Sequence, residues 1–96
     1  MSRQDSLTAV LDTASGENRI ETLLSLVTLN YENRGPWDLS YDLTSEALKV
    51  SEEIEDTTNQ IYMHLILVYQ LRIKGKLSEA ELHARKARNL LLQSNE

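Results

Sequence analysis

The sequence contains no cysteine and no phenylalanine, and only one proline and three glycines among its 96 residues. Without cysteine, disulfide bonds and thiolate metal sites are excluded, and a reducing compartment, the cytoplasm, is the expected location. Proline and glycine interrupt helices, so their scarcity favours an all-α protein. The 41% hydrophobic content supports one modest core. A chain of this length fits a single domain over residues 1–96.

Long hydrophobic runs and an excess of basic charge are also missing. Residues 1–20 carry charges throughout and no later window reaches membrane-spanning length, so we expect neither a secretion signal nor a membrane partner. Fifteen acidic against ten basic residues give a net charge of −5, which repels phosphate backbones and argues against nucleic acid as a partner. The basic residues at 85–88 are offset by Glu79 and Glu81, and we interpret them as a solvated helix face.

Catalytic and metal-binding patterns are scarce as well. No nucleophile stands at a recognisable spacing from a base, and no glycine-rich phosphate loop occurs, so we expect neither enzymatic activity nor a cofactor. A metal site at His64 and His83 would need carboxylates converging from two helices, and no Glu-rich metal motif accompanies them. A half-buried or surface histidine pair is the favoured interpretation.

Two capping boxes indicate where helices begin. Ser78 stands three residues before Glu81, and Thr57 stands three residues before Gln60. Gly75 lies just upstream of the first box and is typical of a residue that ends the preceding helix. One helix should therefore begin at Ser78 and another at Thr57.

The Gly35-Pro36 pair supplies a third boundary, after which Asp38 or Ser40 is expected to cap a helix. Together these signals predict four main helices. They span about residues 17–33, 38–55, 58–74 and 78–93. Residues 6–14 have helical apolar spacing as well, which predicts either a short extra helix or a fraying segment.

Apolar periodicity predicts the environment of each helix. The first two have one buried stripe each: Ile20, Leu23, Leu24, Val27 and Tyr31, then Leu43, Ala47, Val50 and Ile54. The third helix is apolar on nearly every side and needs cover from more than one neighbour. The fourth has a seam of mostly small residues, Ala80, Ala84, Ala87 and Leu91, at which another helix comes close. We expect the third and fourth helices to form a tight hairpin.

The two halves of the chain repeat each other in outline. Gly35 and Gly75 are 40 residues apart, each ends a helix, and each is followed twelve residues later by an alanine, Ala47 or Ala87. Repeat one covers about residues 17–55 and repeat two about residues 58–93, which predicts stacked antiparallel helical hairpins, a short α-solenoid.

The segment from Gly75 to Ala87 resembles the second half of a tetratricopeptide repeat, with a glycine in the turn and alanines at helical contacts. In the first copy Tyr31, Gly35 and Ala47 fit the family's tyrosine, turn glycine and second alanine. The 40-residue spacing exceeds the usual ~34. It is similar to the longer repeats of bacterial regulatory and sensory proteins.

The resemblance implies a binding surface on the concave side, formed by the first helix of each hairpin. The implied contacts with a protein or peptide partner are Leu26, Leu29, Asn33, Tyr62, Leu65, Ile66, Tyr69 and Arg72, with Thr22, Ser25 and Glu32 nearby. This groove is mostly apolar, so a clamp for acidic carboxyl termini is not expected. The implied function is a protein-interaction module, a regulatory or scaffolding region of a bacterial signalling protein. The alternatives are a receptor groove for a peptide or small ligand and a purely structural homodimerisation domain.

Apolar surface left over from this arrangement predicts self-association. Two hairpins cannot cover every side of the third helix, and residues 90–92 are leucines near the end of the chain. We expect a two-fold homodimer whose interface includes the third or fourth helix, or a larger protein that supplies the missing layer. Trp37 either anchors a partner or, the favoured interpretation, folds back over the hairpin that it closes.

Overall fold

The computed structural model describes residues 3–94, and this part of the chain is built from five α-helices without any strand. The helices are α1 (Arg3–Thr13), α2 (Gly16–Glu32), α3 (Trp37–Glu53), α4 (Thr57–Ile73) and α5 (Leu77–Ser94). The predicted all-α class is confirmed, and the four main helices lie within two residues of their predicted bounds. The N-terminal segment, which the sequence left undecided, is a helix.

The helices pack as successive antiparallel hairpins. α2 packs on α3, α3 on α4 and α4 on α5, while α1 lies against α2. α2 and α4 both have 17 residues and begin 41 residues apart, whereas α3 and α5 begin 40 residues apart. The smallest extent of the Cα positions is 15 Å, which corresponds to two layers because packed helix axes lie about 8–10 Å apart.

The hydrophobic core lies where α2, α3 and α4 meet. Its buried members are Ile20, Leu23, Ala47, Val50 and Met63, with Leu11, Leu24, Leu43, Leu48 and Ile66 packed against them. α4 is central, as its all-round apolar sequence predicts, because it packs on both α3 and α5. Leu11 brings α1 into the same core.

Arg19 ties three helices together. Its guanidinium donates from Nη1 to the carbonyl oxygen of Leu11 at 2.9 Å, near the end of α1, and from Nη2 to Oε1 of Glu46 in α3, also at 2.9 Å. The last carbonyls of a helix have no partner within the helix, so a cation placed there both satisfies and orients them. This contact holds α1 against the α2–α3 hairpin.

The helix caps differ from those predicted. α4 begins at Thr57 and is capped by Asp56, whose carboxylate accepts from the backbone N–H of Asn59 at 3.1 Å, so the predicted cap at Thr57 is wrong by one residue. The N–H of Gln60, which a cap at Thr57 would need, is bonded instead to the carbonyl oxygen of Asp56 at 3.0 Å. Asp38 and Ser40 lie inside α3, which begins directly after Pro36 without a side-chain cap, so neither of them caps it.

The two glycines that end α2 and α4 have different roles. Gly75 has a φ of +76°, a left-handed conformation that costs glycine little. In the first hairpin that conformation belongs to Arg34, with a φ of +53°. Gly35 is needed there for space, because a β-carbon would overlap the side chain of Asn30, which donates from Nδ2 to the Pro36 carbonyl at 2.8 Å.

The alanine seam of α5 is only partly as predicted. Ala80 and Ala87 are buried, with 4% and 3% of their surface exposed, and their helix packs closely on α4. Ala84 and Leu91 are exposed and lie on the flank of α5, so their assignment to the buried seam is wrong. Residues at positions 80 and 87 are one heptad apart, whereas position 84 is rotated away from them.

Replacing Ala87 with leucine should lower the free energy of unfolding by roughly 1–3 kcal/mol, because added methylenes overpack a closed contact. Urea unfolding followed by circular dichroism measures the loss. The matched control is Ala84→Leu, on the same helix at an exposed position. Equal midpoints for the two variants would contradict the observed α4–α5 packing.

Candidate functional site

A groove of about 940 Å³ runs between α2 and α4 and ends at the first turn of α3. We call it the α2–α4 groove. Its lining residues are Val27, Thr28, Tyr31, Glu32, Arg34 and Gly35, then Trp37 and Ser40, then Ile66, Tyr69, Gln70 and Ile73. The groove exists because the backbones of α2 and α4 do not pack directly on each other, while α3 lies beneath both.

Two tyrosines form the lips of the groove. Tyr31 of α2 is 68% exposed and Tyr69 of α4 is 55% exposed. The neighbouring Tyr31 side chain is the main cause that raises the pKa of Tyr69. Exposed tyrosine rings offer a large apolar contact area with a polar edge, the combination that favours binding of a polypeptide.

Trp37 closes one end of the groove. Its Nε1 donates to the carbonyl oxygen of Gln70 at 2.9 Å, and its ring stacks on Tyr41 with centroids 4.9 Å apart. The ring is half-buried and contacts its own helix and α4, so its folding back over the α2–α3 hairpin stays a prediction. Lys74 and Lys76 bring their ammonium groups to 5.3 and 5.7 Å from the ring centre, within cation–π range.

The floor of the groove contains an unpaired hydrogen-bond acceptor. The Gln70 side chain is 6% exposed, and its Nε2 donates to Oγ1 of Thr44 at 3.0 Å and to the Ser40 carbonyl at 3.4 Å. Within residues 3–94 its Oε1 is buried without any partner. A buried unpaired acceptor costs roughly 1–3 kcal/mol.

The only histidine pair, outside the groove, joins α4 to α5. The Nδ1 atoms of His64 and His83 are 2.9 Å apart, so one ring donates and the other accepts. The pKa of His64 is lowered to about 4, mainly by burial and then by the nearby His83 and Lys86. Burial and Lys86 also lower the pKa of His83, against an opposing effect of Glu79. Among the described residues no group of three or more metal-ligating side chains occurs.

The structure distributes the predicted partner contacts over several environments. Ile66 and Tyr69 line the α2–α4 groove. Leu26 and Leu29 are buried, with 7% and 8% exposed, so they serve packing instead of partner contact. The remaining predicted contacts are exposed but outside the groove lining: Asn33, Tyr62, Leu65 and Arg72.

Sequence reasoning missed part of the groove because α2 has two apolar stripes. Val27 and Tyr31 were predicted to be buried and instead line the groove, whereas Thr22, Leu26 and Leu29 were predicted to face a partner and are buried. The helix is thus rotated about its axis relative to the expectation. The strong exposure of Tyr31 agrees with the general preference of a tyrosine hydroxyl for a wet edge.

None of the helices within residues 3–94 has the length and apolar character needed to cross a bilayer. Comparisons with protein-family models, with curated proteins and with solved structures give no match.

Proposed function

We propose that the chain is a protein-interaction module that binds a segment of a partner protein in the α2–α4 groove. The observation that carries the proposal is that two exposed tyrosines and Gln70, whose Oε1 is buried without a partner, line the same groove. Binding grooves combine apolar walls with a few placed polar groups that orient the ligand. A peptide segment supplies both an apolar side chain for the walls and an N–H donor for the floor.

The resemblance to tetratricopeptide repeats also bears on the kind of protein in which the module acts. Helical hairpins offset by 40–41 residues suit a regulatory or scaffolding region of a bacterial signalling protein. The absence of cysteine suits a cytoplasmic location. A function in binding requires neither a cofactor nor catalysis.

Trp37 provides a direct test because it is the only tryptophan and lines the groove. Random-sequence peptides displayed on phage are selected against the immobilised chain, and the enriched peptides are synthesised and titrated. Binding in the groove should change the tryptophan emission. Tyr69→Glu should raise the Kd at least about tenfold, because it replaces an apolar lip by a charge.

The matched control is Tyr62→Glu, the same change at an exposed tyrosine of the same helix, two turns away and outside the groove lining. It should leave the Kd within about twofold, as expected for a residue that makes no contact. Equal effects of the two variants, or peptides that leave the Trp37 emission unchanged, would contradict binding in this groove.

A further inference from the structure

A second exposed surface lies on the flank of α5. Five residues with spacings of four, three, four and three positions form one face of this helix, and we call them the α5 stripe: Leu77, Glu81, Ala84, Arg88 and Leu91. All five are exposed, Leu77 and Leu91 by 65% and 51%. Large apolar side chains at both ends of an exposed stripe are typical of an interface.

The α5 stripe is complementary to a second copy of itself that runs in the opposite direction. Leu77 and Leu91 are each seven residues from Ala84, and Glu81 and Arg88 are three and four residues from it on opposite sides. At a rise of about 1.5 Å per residue, the two charged positions differ by only one step in their distance from the centre. The arginine side chain is long enough to span that difference.

The charges of the α5 stripe have no partners of their own. Within the described part of the chain neither Glu81 nor Arg88 forms an ion pair. Beside them, Val68 and Arg72 of α4 complete a shallow hollow of about 220 Å³ that includes Leu77 and Ala84. The flank of α5 therefore combines an apolar hollow with two unpaired charges of opposite sign.

We infer that two copies of this chain associate through their α5 stripes, packed antiparallel about a two-fold axis at Ala84. Leu77 then meets Leu91 of the partner subunit, and Glu81 meets Arg88 of the partner subunit, each pair occurring twice. Ala84 at the crossing lets the helix axes approach to about 8 Å. The hollow beside Val68 receives a leucine.

A second copy fits this surface better than an unrelated partner because, on the two sides of Ala84, the apolar residues match in position and the charges are opposite in sign. A two-fold interface uses the same patch on both subunits, so a patch that suits its own reverse is what such an interface requires. The surface does not overlap the lining of the α2–α4 groove. Failure of either proposal leaves the other untouched.

Sedimentation equilibrium at about 100 μM protein tests the association, because a dimer with a micromolar Kd is populated at that concentration. The wild-type chain should sediment at twice its mass of 11.0 kDa. Arg88→Glu and Glu81→Arg each place like charges opposite each other twice, and each should raise the dimer Kd on the order of tenfold or more. Lys49→Glu, at an exposed site on α3 and with the same change in net charge as Arg88→Glu, should leave the Kd unchanged.

Mixing the two charge variants gives the decisive measurement. A chain with Glu81→Arg carries two arginines on its stripe, a chain with Arg88→Glu carries two glutamates, and each repels itself. Together they restore both ion pairs, so native mass spectrometry of the mixture should show a heterodimer and little of either homodimer. Rescue by mixing also shows that both variants are folded.

Three results would overturn the inference. A wild-type chain that stays at 11.0 kDa shows that this face serves a different protein or none. A dimer that tolerates both charge reversals uses another surface, such as the exposed part of α4. A mixture that gives no heterodimer shows that Glu81 and Arg88 do not meet across the two-fold axis.

Discussion

Replacing Leu67 with alanine should lower the free energy of unfolding by roughly 2–5 kcal/mol, because a fully buried leucine leaves a cavity that its surroundings fill only in part. Leu67 is 1% exposed and lies on α4, the helix that packs on both α3 and α5. Small domains have total stabilities of about 5–15 kcal/mol, so this one change removes a large share.

Urea denaturation, followed by the helix signal in circular dichroism, measures the difference in unfolding free energy between wild type and Leu67→Ala. The matched control is Leu82→Ala on α5, where the leucine is 45% exposed. Its effect should stay within about 0.5 kcal/mol, as for most surface substitutions. Similar losses at both positions would show that α4 is not the centre of the packing.

Acidification should destabilise the fold through the two histidines. The pKa of His64 is about 4 in the folded protein against 6.5 for the ordinary side chain, so the unfolded chain takes up a proton first as the pH falls. The contribution of His64 to stability is complete above pH 6.5 and is lost progressively towards pH 4. The expected loss is roughly 2 kcal/mol, discounted for partial access of solvent to the pair.

The measurement compares unfolding free energies of wild type and His64→Leu at pH 7 and near the folded pKa of about 4. Carboxylates titrate in both proteins, so the difference between the two pH dependences isolates the histidine pair. The chain has only these two histidines, and no other imidazole can mask the result. The same pH dependence in both proteins would contradict burial of a neutral His64.

The helices could be predicted from sequence because their signals are local. Glycine and proline end helices through their own backbone conformations. An apolar spacing of 3.6 residues indicates a helix whichever elements pack against it. Orientation about a helix axis is different, since it depends on which neighbour covers which stripe. α2 has Leu26 and Leu29 on one side and Val27 and Tyr31 on the other, and only packing on α3 decides between them.

The polar floor of the groove shows a second limit of local reasoning. Gln70 stands in the apolar second half of α4, where an amide side chain is a signal that periodicity does not use. Its partners Ser40 and Thr44 are 30 and 26 residues away, in α3. Pairing over such distances follows from the tertiary fold, and so does the unpaired oxygen that marks the candidate site.

Packing between consecutive helices also has a consequence for how the chain folds. Because each helix backbone packs only on its neighbours in the chain, few contacts require the closure of a long loop, and the relative contact order is low. Helical proteins of this kind fold within microseconds to milliseconds. Opening can likewise begin at one end, since α1 lies only against α2 and can detach while the hairpins remain folded. Amide hydrogens of α1 are therefore expected to exchange with solvent well before those of α4.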